Sequence, residues 1–294
     1  MQPYTNLRGI ALMIAASLMF VVNDTFLKLA TEGLPPFQTL FLRGVMATLW
    51  CLPLVLLAGY GKSLRLVADK WVVLRNLMEL GAVLCFIVAL ANMPIADITA
   101  LGQTAPLLLL IGVALIYREK IGALRIALIG VGFAGAILVA QPGAEGVSPY
   151  AVLGIGVAVG SALRDIVTRK VANHVPGLVV ALSAILIVMM GALGMHLVLE
   201  DWVMPQIEHL LFLLGSGFFL TLGHLCIFLA YRHGEAGAVA PFYYMFSVWA
   251  LVSGIVVFGT LPNPMALTGI GLILASGVVI VLLDERRRRI NIVG

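Results

Sequence analysis

Ionisable side chains occur inside stretches of the chain that are otherwise apolar. Two acids, Asp24 and Glu79, and three arginines, Arg43, Arg75 and Arg164, lie in such stretches. At the centre of a bilayer, an ionisable group costs roughly 2.5–3.5 kcal/mol, so each needs a partner or a water-filled cavity. An arginine can take a carboxylate, and an acid, an amide or a tyrosine can take an ammonium group. These residue types predict non-covalent binding of a small zwitterionic or polar molecule.

Ten residues are predicted to contact that molecule: Asn23, Asp24, Arg43, Arg75, Glu79, Gln103, Arg164, His224, Tyr243 and Tyr244. Arg43 lies about 10 Å from the outer end of its helix at 1.5 Å per residue, a depth similar to that of Asp24. The two can form a structural ion pair or contact the substrate directly. Arg75 and Glu79 are one turn apart on one helix face. Arg75 can instead extend its guanidinium to the membrane boundary.

In the second half, each candidate has a structural alternative. Asp165 precedes Arg169 by four residues, a spacing that predicts an ion pair at the surface. His224, alone on an apolar helix, is either a packing residue or a proton carrier. The two tyrosines follow a proline and can stack on a substrate or form hydrogen bonds between helices. In the first half, Gln103 precedes Pro106, whose missing N–H frees a carbonyl group at a cavity or at a simple packing kink.

No catalytic motif accompanies these residues. The sequence has no His-Glu-x-x-His, Gly-x-Ser-x-Gly, phosphate-binding lysine loop or Cys-x-x-Cys. Its five histidines are scattered, which argues against a metal site, and no cofactor is predicted. The three cysteines, Cys51, Cys85 and Cys226, lie in apolar runs and are predicted to be unpaired packing residues. The prediction is therefore a binding protein and not an enzyme.

Composition places these side chains in a membrane protein. Of 294 residues, 62% are hydrophobic and only 11% are charged, and the mean hydropathy is +1.09. A soluble domain is roughly a quarter charged. A soluble enzyme on a membrane anchor is excluded because no long polar stretch remains. The arginines at 286–289 directly follow an apolar run, which is typical of a cytoplasmic membrane flank and not of a nucleic-acid-binding tail.

Ten apolar segments are long enough to span a bilayer, and together they predict an all-α integral membrane protein. They cover 8–29, 36–58, 71–92, 95–117, 122–140, 149–171, 177–199, 207–231, 236–259 and 265–283. Lysine and arginine concentrate in the loops on the side of the two termini. Both termini are therefore predicted to be cytoplasmic, with the chain in the inner (plasma) membrane.

The chain repeats itself at an offset of about 141 residues. The run at 85–90 aligns with 226–231, and Gly130 aligns with Gly271. Each repeat holds five predicted spans, so the second must enter the membrane from the opposite side. The predicted limits are 1–143 for the first repeat, 148–284 for the inverted second repeat and 285–294 for a basic cytoplasmic tail. Transporters with inverted repeats bind their substrate at the repeat interface.

The local motifs resemble the drug/metabolite transporter superfamily, specifically its EamA-type members. The first span ends Asn23-Asp24-Thr25-Phe26-Leu27-Lys28, the second opens Phe41-Leu42-Arg43, and the fourth begins after Asn92-Met93-Pro94 and ends Tyr117-Arg118-Glu119-Lys120. A glycine-rich fifth span ends at Gln141-Pro142. Within the superfamily the chain is most similar to amino-acid exporters of the YddG type. The resemblance extends over the whole sequence.

The resemblance implies a central cavity between the repeats, lined by helices other than the fifth and tenth, and alternating access. It implies a carrier that exports amino acids or similar small metabolites, coupled to protons through Glu79 or Asp24, or uncoupled. The stretches at 78–80 and 99–101 lack aromatic residues, which favours smaller or more varied amino acids. Carriage of S-adenosylmethionine, a vitamin or a drug is the alternative, followed by a channel or an intramembrane enzyme. The chain acts as a monomer or as a homodimer.

Overall fold

Helices make up nearly all of the chain in the computed structural model, which describes residues 6–117, 122–140, 148–172, 174–234 and 239–293. The helices are α1 (Asn6–Thr31), α2 (Pro36–Leu57), α3 (Lys70–Asn92), α4 (Ile95–Gly102), α5 (Ala105–Tyr117), α6 (Ala123–Ala140), α7 (Pro149–Thr168), α8 (Gly177–Leu199), α9 (Ile207–His233), α10 (Met245–Phe258) and α11 (Pro264–Val293). Short 3₁₀ segments cover Gly61–Ala68 and Ala240–Tyr244. Within these ranges there is no strand.

Eight helical stretches have the length and apolar composition needed to cross a membrane. Two shorter apolar helices, Ile126–Val139 and Phe242–Phe258, occupy the positions of the fifth and ninth predicted spans. The predicted fold class, an all-α membrane protein of ten spans in two inverted repeats, is confirmed. The last helix differs from the prediction at its end, because α11 continues past residue 283 to Val293. The described backbone in the predicted basic tail is therefore helical.

Helix ends follow local chemistry. Asp69 caps α3, where its Oδ1 accepts hydrogen bonds from the backbone N–H groups of Trp71 at 2.9 Å and Val72 at 3.3 Å. Proline is tolerated at the first position of α2 because that N–H has no partner within the helix. Gly259 ends α10 in the left-handed region, with φ at +62°, where glycine carries no Cβ penalty.

The helices pack in pairs that join the two halves of the chain. Extensive contacts link α1 to α9, α3 to α7, α2 to α8, α4 to α10, and α6 to α11. Each span of the first half has its counterpart five spans later in the chain. If every span is replaced by its counterpart, the α1–α9 pair becomes the α3–α7 pair, and the other three pairs remain unchanged. This pattern is that of a pseudo-two-fold axis between the repeats.

Glycines permit two of these close approaches. A Cβ on Gly160 of α7 would lie 2.8 Å from the Cβ of Ala82 in α3. A Cβ on Gly135 of α6 would lie 2.7 Å from the carbonyl oxygen of Gly269 in α11. Since real Cβ atoms do not approach so closely, larger residues would force each pair of helices apart.

The fourth and ninth spans are interrupted. In the fourth, the sequence predicted a freed carbonyl group near Pro106, at a cavity or at a packing kink, whereas the ninth was predicted without a break. In the fourth, α4 ends at Gly102 and α5 begins at Ala105; in the ninth, the 3₁₀ segment Ala240–Tyr244 precedes α10. Both breaks carry the same pattern, Gly-x-x-Ala-Pro, at 102–106 and 237–241. A proline lacks the N–H that an uninterrupted helix needs, which explains the matching breaks. Interrupted helices at corresponding positions in two inverted halves are typical of a transport site.

The largest apolar core closes the end of the bundle away from the termini. Its fully buried members include Leu27 at the end of α1, Leu40 near the start of α2, and Leu90 near the end of α3. Leu213 adds α9 to the same core. The acids and arginines inside α1, α2 and α3 therefore lie on the termini side of this apolar layer.

Candidate functional site

Four charged residues form a network between the repeats, which we call the ion-pair cluster: Arg75 and Glu79 on α3, and Arg164 and Asp165 on α7. The Arg75 Nη2 atom lies 2.7 Å from Glu79 Oε2, and Arg164 Nη1 lies 3.2 Å from Glu79 Oε1. Arg164 Nε lies 2.8 Å from Asp165 Oδ1. Because α3 and α7 belong to different halves of the chain, Glu79 and Arg164 tie one repeat to the other.

Two members of the cluster differ from their sequence-based alternatives. Arg75 turns inward to Glu79 and to Asn76, whose Oδ1 accepts a hydrogen bond of 2.5 Å from Arg75 Nη1. The predicted surface pair between Asp165 and Arg169 is wrong, because Asp165 binds the neighbouring Arg164. The side chains of Arg75, Glu79 and Arg164 keep 15, 18 and 23% of their exposure, so the network is shielded but accessible.

Asp24 and Arg43 form a second charged group, the Asp24–Arg43 couple. Asp24 is 6% exposed and Arg43 is 8% exposed. They interact electrostatically, but among the described residues Arg43 makes no ion pair within 4 Å, and its Nε atom is buried without an acceptor. Asn23 donates to Asp24 Oδ1 at 2.8 Å and accepts from Ser216 at 2.7 Å. The acid is therefore held in place, whereas the guanidinium has no hydrogen-bond partner in the part of the chain that the structure describes.

The two groups lie at different depths. At 1.5 Å per residue, Glu79 is about 14 Å along α3 from the end of the bundle that holds the termini. Arg43 is about 21 Å from that same end along α2. The couple thus lies deeper than the ion-pair cluster, between the cluster and the apolar core.

His224 and Tyr243 extend the site to α9 and to the interrupted ninth span. His224 interacts electrostatically with Glu79, Arg43 and Arg164, and its ring meets Phe20 edge-on at 5.2 Å. Tyr243 interacts electrostatically with Arg164 and Asp165. Both therefore lie beside charged residues at the interface of the two repeats.

Gln103 and Tyr244 lie apart from these charges. Gln103 ends α4, where it is 5% exposed and its Oε1 atom is buried without a partner in the described structure. The Tyr244 ring packs against Gly277 of α11, and its hydroxyl group is likewise buried and unpaired among those residues. Neither side chain has a hydrogen bond or ion pair to the cluster or to the couple.

Two polar contacts between helices had no clear signal in the sequence. The Lys28 Nζ atom donates to the carbonyl groups of Leu90 at 2.6 Å and Met93 at 2.8 Å. It thereby stabilises the end of α3. Thr25 and Ser253 join α1 to α10 through a hydrogen bond of 2.6 Å. An isolated hydroxyl group on an apolar helix gives no sequence pattern from which its hydrogen-bond partner could be predicted.

A carboxylate outside the membrane core also joins the halves. Glu200, which follows α8, accepts hydrogen bonds of 2.9 Å from the backbone N–H groups of Phe37 and Gln38 at the start of α2. His196 Nδ1 lies 3.0 Å from the same carboxylate. A negative charge at a helix N-terminus is favourable, so this contact stabilises the closed end of the bundle.

Within the described ranges, no group of three or more His, Cys, Asp or Glu side chains could hold a metal ion. The three cysteines are free, in agreement with the sequence-based prediction. The polar chemistry available between the repeats is thus ionic and hydrogen-bonding.

Comparison with known proteins finds two matches to one family model along the chain. The model of the EamA-like transporter family matches residues 7–141 and again residues 148–282. The two matches begin at the offset of the internal repeat, and together they cover most of the chain.

Several curated transporters are similar over nearly their whole length. A riboflavin transporter of Vibrio cholerae is 29% identical, covering 96% of each chain. A pseudopaline exporter, CntI, of Pseudomonas aeruginosa is 26% identical, covering 92% of this chain and 95% of the other. An S-adenosylmethionine uptake transporter of Rickettsia prowazekii is 25% identical, covering 96% and 95%.

A solved crystal structure shares the fold. It superposes with a TM-score of 0.66 and 20% sequence identity, covering 95% of this chain and 98% of that chain. The arrangement of helices is therefore one already seen by experiment.

Proposed function

Because the chain belongs to the EamA-like transporter family, we propose that it is a secondary carrier that exports amino acids or similar small metabolites by alternating access. In this proposal the repeats, over 1–143 and 148–284, rock about the charged residues between them. The protein lies in the inner membrane with both termini in the cytoplasm, as a monomer or a homodimer. Coupling to protons through Glu79 or Asp24 is one option, and uncoupled facilitated diffusion is the other.

The observation that carries this proposal is the position of the charged residues. Arg75 and Glu79 on α3 meet Arg164 on α7, at the interface of the two halves. Inverted-repeat carriers bind substrate at such an interface, beside interrupted helices. Both cationic and anionic groups are present, which suits a zwitterionic or polar metabolite.

The closed end of the bundle favours a carrier over a channel. The apolar core around Leu27, Leu40 and Leu90 fills the end away from the termini, and Glu200 fastens that end across the halves. A carrier closes one side while the other is accessible, whereas an open channel needs a continuous polar path. An intramembrane enzyme would need a nucleophile and a base at one depth, which neither charged group supplies.

Substrate counterflow in proteoliposomes tests the proposal. Vesicles containing the purified protein are preloaded with the twenty proteinogenic amino acids, and uptake of each labelled amino acid is followed with and without a pH gradient. We expect saturable uptake of some amino acids above that of protein-free vesicles. An effect of the gradient on net flux would indicate proton coupling. Absence of uptake by folded, inserted protein would contradict amino-acid export.

The relatives favour a second candidate, a carrier of another metabolite class. Their names include a riboflavin transporter and an S-adenosylmethionine uptake transporter, so both compounds belong in the same assay. Counterflow of riboflavin or S-adenosylmethionine without counterflow of amino acids would identify this second function. Vesicles of known protein orientation would then separate export from uptake.

A further inference from the structure

The Asp24–Arg43 couple consists of opposite charges that are more than nine-tenths buried and yet not in contact. Asp24 is 6% exposed and Arg43 is 8% exposed. Neither has an ion pair within 4 Å in the described structure, although they interact electrostatically. Burying a charge without a direct partner is costly, so this arrangement calls for a ligand that completes it.

Each side of the couple has hydrogen-bonding capacity left. Asp24 accepts one hydrogen bond, from Asn23 to its Oδ1 atom, and its second oxygen has no partner among the described residues. The Nε atom of Arg43 is enclosed without an acceptor. An arginine presents its N–H groups as a planar fork that matches a carboxylate.

The neighbouring charges are already occupied. Glu79 receives both Arg75 and Arg164, and Lys28 is bound to the carbonyl groups of Leu90 and Met93. Among the described residues, Asp24 and Arg43 are consequently an acid and an arginine that can receive a substrate without first breaking an ion pair. They also lie together in the first repeat, on α1 and α2.

We infer that this couple binds the amino-acid head of the substrate, with Arg43 taking the carboxylate and Asp24 taking the ammonium group. The substrate class is therefore a zwitterion whose opposite charges share one small head, and the side chain of the substrate is read elsewhere. This inference rests on the proposed carrier function. It assigns recognition of the head to the couple and leaves the ion-pair cluster to hold the repeats together.

Blocking either charge of the substrate should distinguish the role of Arg43 from that of Asp24. A carboxamide lacks the anion for Arg43, and an N-acetyl derivative lacks the cation for Asp24. A site built for a charged group rejects an analogue that leaves its own buried group unpaired. Hydrogen bonds to charged groups contribute about 1.5–3 kcal/mol, which corresponds to roughly a tenfold to a hundredfold change in affinity.

The experiment is competition against counterflow. Proteoliposomes take up a labelled mixture of the twenty amino acids in the presence of the unlabelled mixture, its carboxamides or its N-acetyl forms. The wild type should prefer the free amino acids to both blocked forms by about tenfold or more. Arg43→Gln should lose the preference over carboxamides and keep the preference over N-acetyl forms. Asp24→Asn should do the reverse.

Selectivity is a ratio, so a variant that folds less efficiently still reports it. Arg43→Lys, which keeps the charge but loses the planar fork, should retain part of the preference over carboxamides. Arg65→Gln and Glu208→Gln are matched controls at exposed positions and should leave both preferences unchanged.

The failure modes are distinct. Amino-acid flux with equal competition by the blocked forms overturns the inference and leaves the carrier function standing. Flux of S-adenosylmethionine, which carries an amino-acid head, supports the inference if it falls in Arg43→Gln and Asp24→Asn. Flux of riboflavin alone, which has no such head, overturns the inference while confirming a carrier. Flux of none of the three by folded protein overturns both.

Discussion

The ion-pair cluster and the Asp24–Arg43 couple contain the same types of charged residue but differ in how closely those residues contact one another. In the cluster, Glu79 contacts two arginines within 3.2 Å. In the couple, the acid and the arginine form no ion pair, and Arg43 makes no hydrogen bond to any described residue, whereas each arginine of the cluster does. The difference separates charge that is neutralised by its neighbours, which holds helices together, from charge that is left open, to which our inference assigns substrate binding.

The two groups also differ in which parts of the molecule they join. The cluster connects α3 to α7, and thus one repeat to the other, whereas the couple connects α1 to α2 within one repeat. A rocking motion of the repeats must stretch or rearrange the Glu79–Arg164 contact. The same motion can carry Asp24 and Arg43 together, so a substrate bound there, as we propose, would keep its contacts.

The largest effect on stability is expected from Glu79→Gln, which breaks the cluster at its centre. It leaves Arg75 and Arg164 without their shared carboxylate. We expect a loss of about 2 kcal/mol in the free energy of unfolding, between the values for exposed and buried ion pairs. Transport should fall while membrane insertion persists. Unfolding in detergent and counterflow measure the two effects, and unchanged flux at every pH would contradict the prediction.

A smaller loss of stability is expected when either arginine of the cluster is replaced, and the two arginines should differ. Arg164→Gln removes contacts to Glu79 and Asp165 and loosens the repeats, whereas Arg75→Gln removes a pair within one helix. We expect Arg164→Gln to lower the free energy of unfolding by about 1 kcal/mol more than Arg75→Gln. The double variant Glu79→Gln/Arg164→Gln should lose about 1–2 kcal/mol less free energy of unfolding than the sum of the losses of the two single variants. Strict additivity would show that Glu79 and Arg164 are not coupled.

Glu200→Ala tests a paired carboxylate outside the membrane core. It removes the acceptor of two backbone N–H groups at the start of α2, and we expect a loss of about 1 kcal/mol in the free energy of unfolding. Asp201→Ala, at the exposed neighbouring position, is the matched control and should have almost no effect. Equal losses in the two variants would rule out a specific role of Glu200.

The smallest effect on stability is expected from Arg43→Gln. Because no described residue forms an ion pair or hydrogen bond with this guanidinium, its removal should change the free energy of unfolding by less than about 1 kcal/mol. Transport should nevertheless fall, so stability and activity separate here as they do not at Glu79. Thermal unfolding without substrate provides the measurement. A loss as large as that of Glu79→Gln would make Arg43 a structural residue and erase the contrast.

The sequence was sufficient for the architecture because hydrophobic length and charge position act locally. Ten apolar segments and an odd number of spans per repeat predict the inverted fold without knowledge of any contact. The breaks in the fourth and ninth spans were less apparent, since their helices remain apolar throughout. The shared Gly-x-x-Ala-Pro pattern at 102–106 and 237–241 is a signal that could have revealed them.

The site was predictable in its residue types but not in its partners. The i,i+4 spacing of Arg75 and Glu79 suggests their contact, whereas the arrival of Arg164 depends on the packing of α3 against α7. Asp24 and Lys28 share the same spacing, yet Lys28 reaches the carbonyl groups at the end of α3. The tertiary packing of the helices decides which of several possible partners a charged residue contacts, and sequence spacing alone does not reveal that packing.

The pairing of helices across the repeats bears on how such a chain could arise. A single five-helix half would expose the faces that α1, α2, α3 and α6 bury against the other half. A second copy inserted upside down would cover those faces, since exchange of the halves preserves the contacts. A gene that encoded only one half would therefore have to produce proteins that insert into the membrane in both orientations. Tandem duplication would then join one half of each orientation in a single polypeptide.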